Sequence, residues 1–125
     1  MSHVLGIGGF FFRSRDPDAL GRWYHERLGI SLPAATYDEK PWRQEAGTTV
    51  FHAFDADTSY FGAADKQWMI NFRVRDLDEL VAALRAAGEE VDADAHVYPN
   101  GRFARLNDPE GNPIQLWEPG GADPG

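Results

Sequence analysis

The tightest constraint on this chain is that it repeats itself. Phe12-Arg13-x-Arg15-Asp16-x-Asp18-x-Leu20 returns as Phe72-Arg73-x-Arg75-Asp76-x-Asp78-x-Leu80, with an offset of 60 residues at every identical position. An internal period of that length signals one supersecondary unit used twice. Each copy is too short to bury a core of its own, so the two copies must share one. A chain of 125 residues has room for both copies and little else.

Each copy starts with a strand and continues into a helix. Residues 4–13 read as a strand, with Phe10 and Phe12 on one side and Gly9, Phe11 and Arg13 on the other. Asp16 is a good N-cap and Pro17 suits the first helical position. Leu20, Trp23, Tyr24 and Leu28 recur at helical spacing before Gly29, which predicts a helix over 17–28. In the second copy, residues 67–75 read as the strand and Asp76 opens the helix. Asp76 and Glu79 have the spacing of a capping box. Leu77, Leu80, Val81 and Leu84 make one apolar stripe, and Gly88 ends the helix.

The remaining segments supply further strands. Residues 32–41 read as a strand plus a loop, and 48–54 as a β-rich strand. Residues 55–66 form a polar linker in which Tyr60 and Phe61 dock locally. A short strand follows at 90–92, a turn at 98–101 and a strand at 101–107. Asp108-Pro109-Glu110-Gly111-Asn112 is a tight turn that feeds a last strand through Ile114, Gln115, Leu116 and Trp117. Alternation puts Gln115 and Trp117 on one face, Ile114 and Leu116 on the other. A polar Gln beside a large Trp suits a pocket wall better than a packed core. The Gly/Pro-rich residues 120–125 read as a disordered tail.

These segments compose an α+β fold: two tandem βαβββ modules forming a curved mixed-sheet cup with helices on the outer face. The chain reads as a single domain over 1–125, with module one at about 4–60 and module two at about 67–119.

Composition removes several classes of function. The formal net charge is −8, which opposes binding to nucleic acid, where phosphate contacts need clustered Lys and Arg. There is no Cys, hence no disulfide, thiolate metal site or Cys nucleophile, in keeping with a cytoplasmic protein. No long apolar span or basic leader is present, so neither a membrane nor a signal peptide is expected. Gly6-Ile7-Gly8-Gly9 lacks the third glycine of a dinucleotide fingerprint, and no Ser sits in a nucleophile elbow.

The paired units, the Asp opening each helix and Asp108-Pro109-Glu110-Gly111-Asn112-x-Ile114 resemble the vicinal oxygen chelate superfamily over about residues 4–119. That group includes glyoxalase I, bleomycin-resistance proteins and extradiol dioxygenases. The resemblance implies a cup, a homodimer, and four metal-ligand positions on the first and last strands of the two units. Here those positions carry Gly9, His52, Met69 and Gln115. Gly9 has no donor side chain, Met69 is a soft thioether and Gln115 a weak neutral donor, so the expectation is no metal cofactor and neither glyoxalase I nor ring-cleaving activity. A divalent ion has only His52 and Gln115 to hold it.

Phe11, Met69, Asn71 and Arg73 fall on the cup side with Gln115 and Trp117, and are the expected ligand contacts together with His52. Arg13 and Arg73 are repeat mates that either bind an anionic group or bridge to a carboxylate. Trp42, Tyr60, Phe61, Tyr98 and Phe103 could add aromatic walls or simply pack in loops. The expected function is binding or sequestering a small, partly aromatic molecule. The alternative is a lyase or isomerase with His52 as acid/base and Gln115 orienting the substrate.

Overall fold

A computed structural model describes residues 3–32, 36–39 and 41–125. The expected strand and loop at 32–41 therefore lie partly outside the described residues, at 33–35 and 40. Among the described residues, two helices, α1 (Pro17–Leu28) and α2 (Leu77–Ala86), accompany four strands: β1 (Ile70–Arg73), β2 (Asp92–Ala93), β3 (Gly101–Asn107) and β4 (Pro113–Pro119). The strands form one mixed sheet in the order β1-β4-β3-β2. β1 runs parallel to β4, and β4 pairs antiparallel with β3 and β3 with β2. The second half of the chain is thus a complete β-α-β-β-β unit in an α+β fold.

α1 forms where its signals stand. The Asp16 carboxylate accepts from the Ala19 amide, Pro17 occupies the first turn, and Gly29 ends the helix with φ 71°. Leu20 and Trp23 are buried. α2 begins differently from expectation. Asp76 adopts the left-handed conformation (φ 51°, ψ 55°) and its side chain makes no capping hydrogen bond. The capping box with Glu79 is not formed; the left-handed backbone carries the Asp76 carboxylate away from the orphan amides. Glu118 of β4 caps the helix instead, accepting from the Leu77 amide at 2.8 Å.

The core lies between the sheet and the helices. Leu77, Val81 and Leu84 of α2 join Trp23 of α1 with Val91, Ala104, Leu106, Ile114 and Leu116. Register explains the sheet's share. Ile114 pairs with Ile70 and Leu106, and Leu116 with Phe72 and Ala104, so one face is apolar on every strand. Each fully buried Leu or Ile contributes roughly 1.5–3 kcal/mol.

The first half departs from expectation. Among the described residues, neither 4–13 nor 48–54 is a strand, and the first sheet residue is Ile70. The alternation expected of 4–13 still holds. Phe10 and Phe12 both pack on Trp68, with centroids 5.0 Å away, while Phe11 on the other side is 93% exposed. A strand needs a neighbour whose amides and carbonyls face its own. Side-chain alternation alone does not supply one. The tail at 120–125 carries a bridge between Gly120 and Asp123, and the Thr48 hydroxyl donates to Asp123 at 3.0 Å.

The turn before β4 joins the two halves. Asp108 is buried, and its carboxylate accepts from the amides of Glu110 and Asn112, the Asn112 side chain and the Tyr24 hydroxyl of α1, at 2.7–3.0 Å. Burial and the Asp108 bond raise the pKa of the Tyr24 hydroxyl, so it stays a donor. Outside the turn, the Glu110 carboxylate accepts from Ser14 Oγ at 2.6 Å and from the Arg15 amide at 2.9 Å. Those bonds hold Glu110 below the ordinary glutamate value, the Ser14 hydroxyl most of all.

Removing the Asp108 carboxylate strands four donors, among them the buried Asn112 amide and the half-buried Tyr24 hydroxyl. Asp108→Ala should cost about 3 kcal/mol or more, and Tyr24→Phe about 1–2 kcal/mol. Urea unfolding measures both, and an Asp108→Ala midpoint equal to wild type would contradict this role. A depressed carboxylate stabilises the fold above its unfolded value of 4.5, and the contribution is lost as pH falls through the lower folded value. The gap in urea midpoint between wild type and Glu110→Gln should therefore be full near about pH 7 and narrow toward about pH 3. A gap constant across that range would show that Glu110 does not act through its charge.

Candidate functional site

The sheet face opposite the apolar one carries two cross-strand rows. Asn71, Gln115, Arg105 and Asp92 align in one; Arg73, Trp117 and Phe103 align in the next. The alternation that buries Ile114 and Leu116 is what turns Gln115 and Trp117 to this side.

The first row is a chain of hydrogen bonds. Asn71 Nδ2 donates to Gln115 Oε1 at 2.8 Å, and Gln115 Nε2 donates to the Tyr60 hydroxyl at 3.0 Å. Arg105 donates to the Tyr60 carbonyl, and its guanidinium lies 4.3 Å from the centre of the Tyr60 ring. Tyr60 stacks on Phe54 with centroids 5.8 Å apart and 25° between planes; Phe54 also touches Phe61 and His52.

The second row is aromatic. Phe103 and Trp117 are stacked at 6.4 Å with 7° between ring planes. Trp117 is only 3% exposed and donates from Nε1 to the Asn100 carbonyl at 2.9 Å. Tyr98 meets Phe103 edge-on and donates to Asp94, and that bond holds the Asp94 carboxyl below its ordinary value. Arg73, at the end of the row, donates to the Glu45 carbonyl, while Arg75 pairs with the Glu45 carboxylate at 3.3 Å.

Of the residues singled out in the sequence, the structure joins Asn71 directly to Gln115 and sets Arg73 beside Trp117 in register. His52 connects to them through Phe54 and Tyr60. Met69 is half-buried just before β1. Phe11 belongs elsewhere: it lines an open cleft of about 650 Å³ with Phe12, Lys66 and Trp68. The Tyr60 and Phe103 rings do face this site. Arg105 and Phe54 escaped the sequence reading; the alternation of Phe103 and Arg105 with Ala104 and Leu106 was the signal for Arg105.

The family's four metal positions do not fit a metal here. Gly9 is without a donor, and a Cβ there would meet the Phe11 ring at 2.8 Å. The Gln115 amide is engaged by Asn71 and Tyr60. Among the described residues, no three His, Asp or Glu side chains are grouped to hold an ion. The face carries the Phe103 ring stacked on the buried Trp117, with the Asn71–Gln115 amides and the Arg105 guanidinium gathered on Tyr60 at its edge, a combination of ring, amide and cation that suits an aromatic group bearing oxygen.

A family model described as a glyoxalase-like domain matches residues 9–117. No curated protein matches the chain. Among solved structures, the chain is similar to TnmS3, an antibiotic binding protein from a Streptomyces species, with 21% identity, 96% of this chain and 100% of that one covered, and a TM-score of 0.63. It is also similar to TioX from a Micromonospora species, with 21% identity, 87% and 92% covered, and a TM-score of 0.51. At this identity both likenesses concern the fold.

Proposed function

The chain belongs to the glyoxalase-like domain family, within the vicinal oxygen chelate superfamily, and from that premise we propose that it binds or sequesters a small, partly aromatic molecule without a metal. The observation that carries this reading is the two-row face: Asn71, Gln115 and Arg105 beside Trp117 and Phe103. Stacking on a ring supplies affinity, and the amides and Arg105 orient the polar edge of the ligand. The fold it shares with an antibiotic binding protein supports the same reading.

The ligand contacts in this reading are Phe11, His52, Met69, Asn71, Arg73, Gln115 and Trp117, the last acting through the Phe103 ring stacked on it, since Trp117 itself is buried. A tandem pair of modules completes the cup, and a homodimer covers Leu5, Ile7, Phe11 and Phe51, all of which are exposed in the single chain. Sedimentation at micromolar concentration tests the dimer; a monomer at all concentrations would remove it.

Calorimetry with planar oxygenated aromatics, run with and without Ni, Zn, Mn, Fe and Mg, tests the central reading. Binding should be metal-independent and about tenfold weaker in Gln115→Ala, since losing a bound amide is worth about 1–1.5 kcal/mol. Turnover that requires an added metal would overturn it. An enzymatic reading with His52 as acid/base rests on the ring contacts that link His52 through Phe54 and Tyr60 to Gln115. It requires that His52→Ala abolish any activity found.

A further inference from the structure

Tyr60 sits on this face as a ligand would. It belongs to no helix or strand, and its loop is held by local bonds: Thr58 N to the Asp55 carbonyl, Tyr60 N to Thr58 Oγ1, and Gly62 N to the Ser59 carbonyl. Its side chain meets two groups from distant strands and one from the stretch just before its loop. Gln115 donates to its oxygen, the Arg105 guanidinium covers its ring, and Phe54 stacks alongside. None of these contacts requires that the ring be attached to the chain.

The donor is also preset. Asn71 occupies Gln115 Oε1, which turns Gln115 Nε2 toward the hydroxyl. A slot with a fixed N–H donor and a guanidinium over the ring favours an aromatic ring bearing an oxygen acceptor over a plain hydrocarbon, which gains no hydrogen bond from Gln115.

We propose that the Gln115–Arg105–Phe54 slot is a binding site for phenolic rings and that Tyr60 is its internal competitor, displaced when the ring of a ligand enters. This rests on the small-molecule binding reading and deepens it by naming the ligand's recognised group. A ligand must outcompete Tyr60, so apparent affinity in the intact chain is reduced by the fraction of slot left open.

The test uses p-cresol, the tyrosine side chain as a free molecule, with toluene as the control lacking oxygen. Tyr60→Ala should bind p-cresol about tenfold more tightly than wild type by calorimetry, as removing a competitor held by a hydrogen bond and a cation–π contact predicts. Toluene should gain little, and Gln115→Ala added to Tyr60→Ala should remove the p-cresol gain. Tyr60→Phe, which keeps the ring and hence the packing, should show a smaller gain. Equal p-cresol affinity in wild type, Tyr60→Ala and Tyr60→Phe, or equal gains for toluene, would overturn the slot. Anthraquinone-2-sulfonate separates the two levels. If it binds wild type in a Gln115-dependent way while p-cresol gains nothing, the slot fails and the wider reading stands. If no aromatic binds any variant, both fail.

Discussion

The buried carboxylate of Asp108 is the point on which the rest of the structure depends. A buried carboxyl group is costly unless its acceptor sites are filled. Here the turn's own amides, Asn112 and the Tyr24 hydroxyl fill them. Filling them closes the Asp108–Asn112 turn and brings α1 against it. Glu110 repeats the arrangement on the outer side, gripping Ser14 and the Arg15 amide just ahead of α1. Lys66 adds a third tie, donating to the Glu110 carbonyl and Asn112. Residues separated by most of the chain are joined at a single turn.

β4 leaves that turn in a defined phase, and its phase decides the chemistry of the sheet. Ile114 and Leu116 face α2 and are fully buried, which leaves Gln115 and Trp117 on the opposite side. A slip of one residue would exchange the two sets, at the cost of burying an amide and exposing the core. The apolar face therefore enforces the polar one. Glu118, the next residue along, reaches the start of α2 and supplies the cap that Asp76 does not. One strand thus serves the core, the candidate site and a helix terminus.

Legibility followed the range of the interaction. The helix over 17–28 was readable because its cap, its Pro and its Gly stop are all local, and the strand at 101–107 because its alternation and turn are local too. The cap of α2 was not readable, since its partner Glu118 is distant in sequence. The strands of the first half were read from the alternation of 4–13 and the β-rich composition of 48–54, and neither says anything about a neighbouring backbone. The facing of β4 and β1 was legible, where Gln115 and Asn71 alternate with apolar residues. The face of Arg105 was legible from the alternation of β3, but its partner was not, and Phe54 was not legible at all, because both meet through Tyr60, a loop residue.

The sequence by itself determined the repeat, both helices, the alternating faces of the last strand and a set of family metal positions poor in donors. Each follows from side-chain chemistry or from contacts within a few residues. Only the tertiary structure decided that Asp108 and Glu110 join the halves, that Glu118 caps α2, and that Tyr60 lies under Arg105 against Gln115. Those contacts link groups 41 to 96 residues apart, and sequence spacing carries no information about which distant groups a closed chain brings within hydrogen-bonding distance.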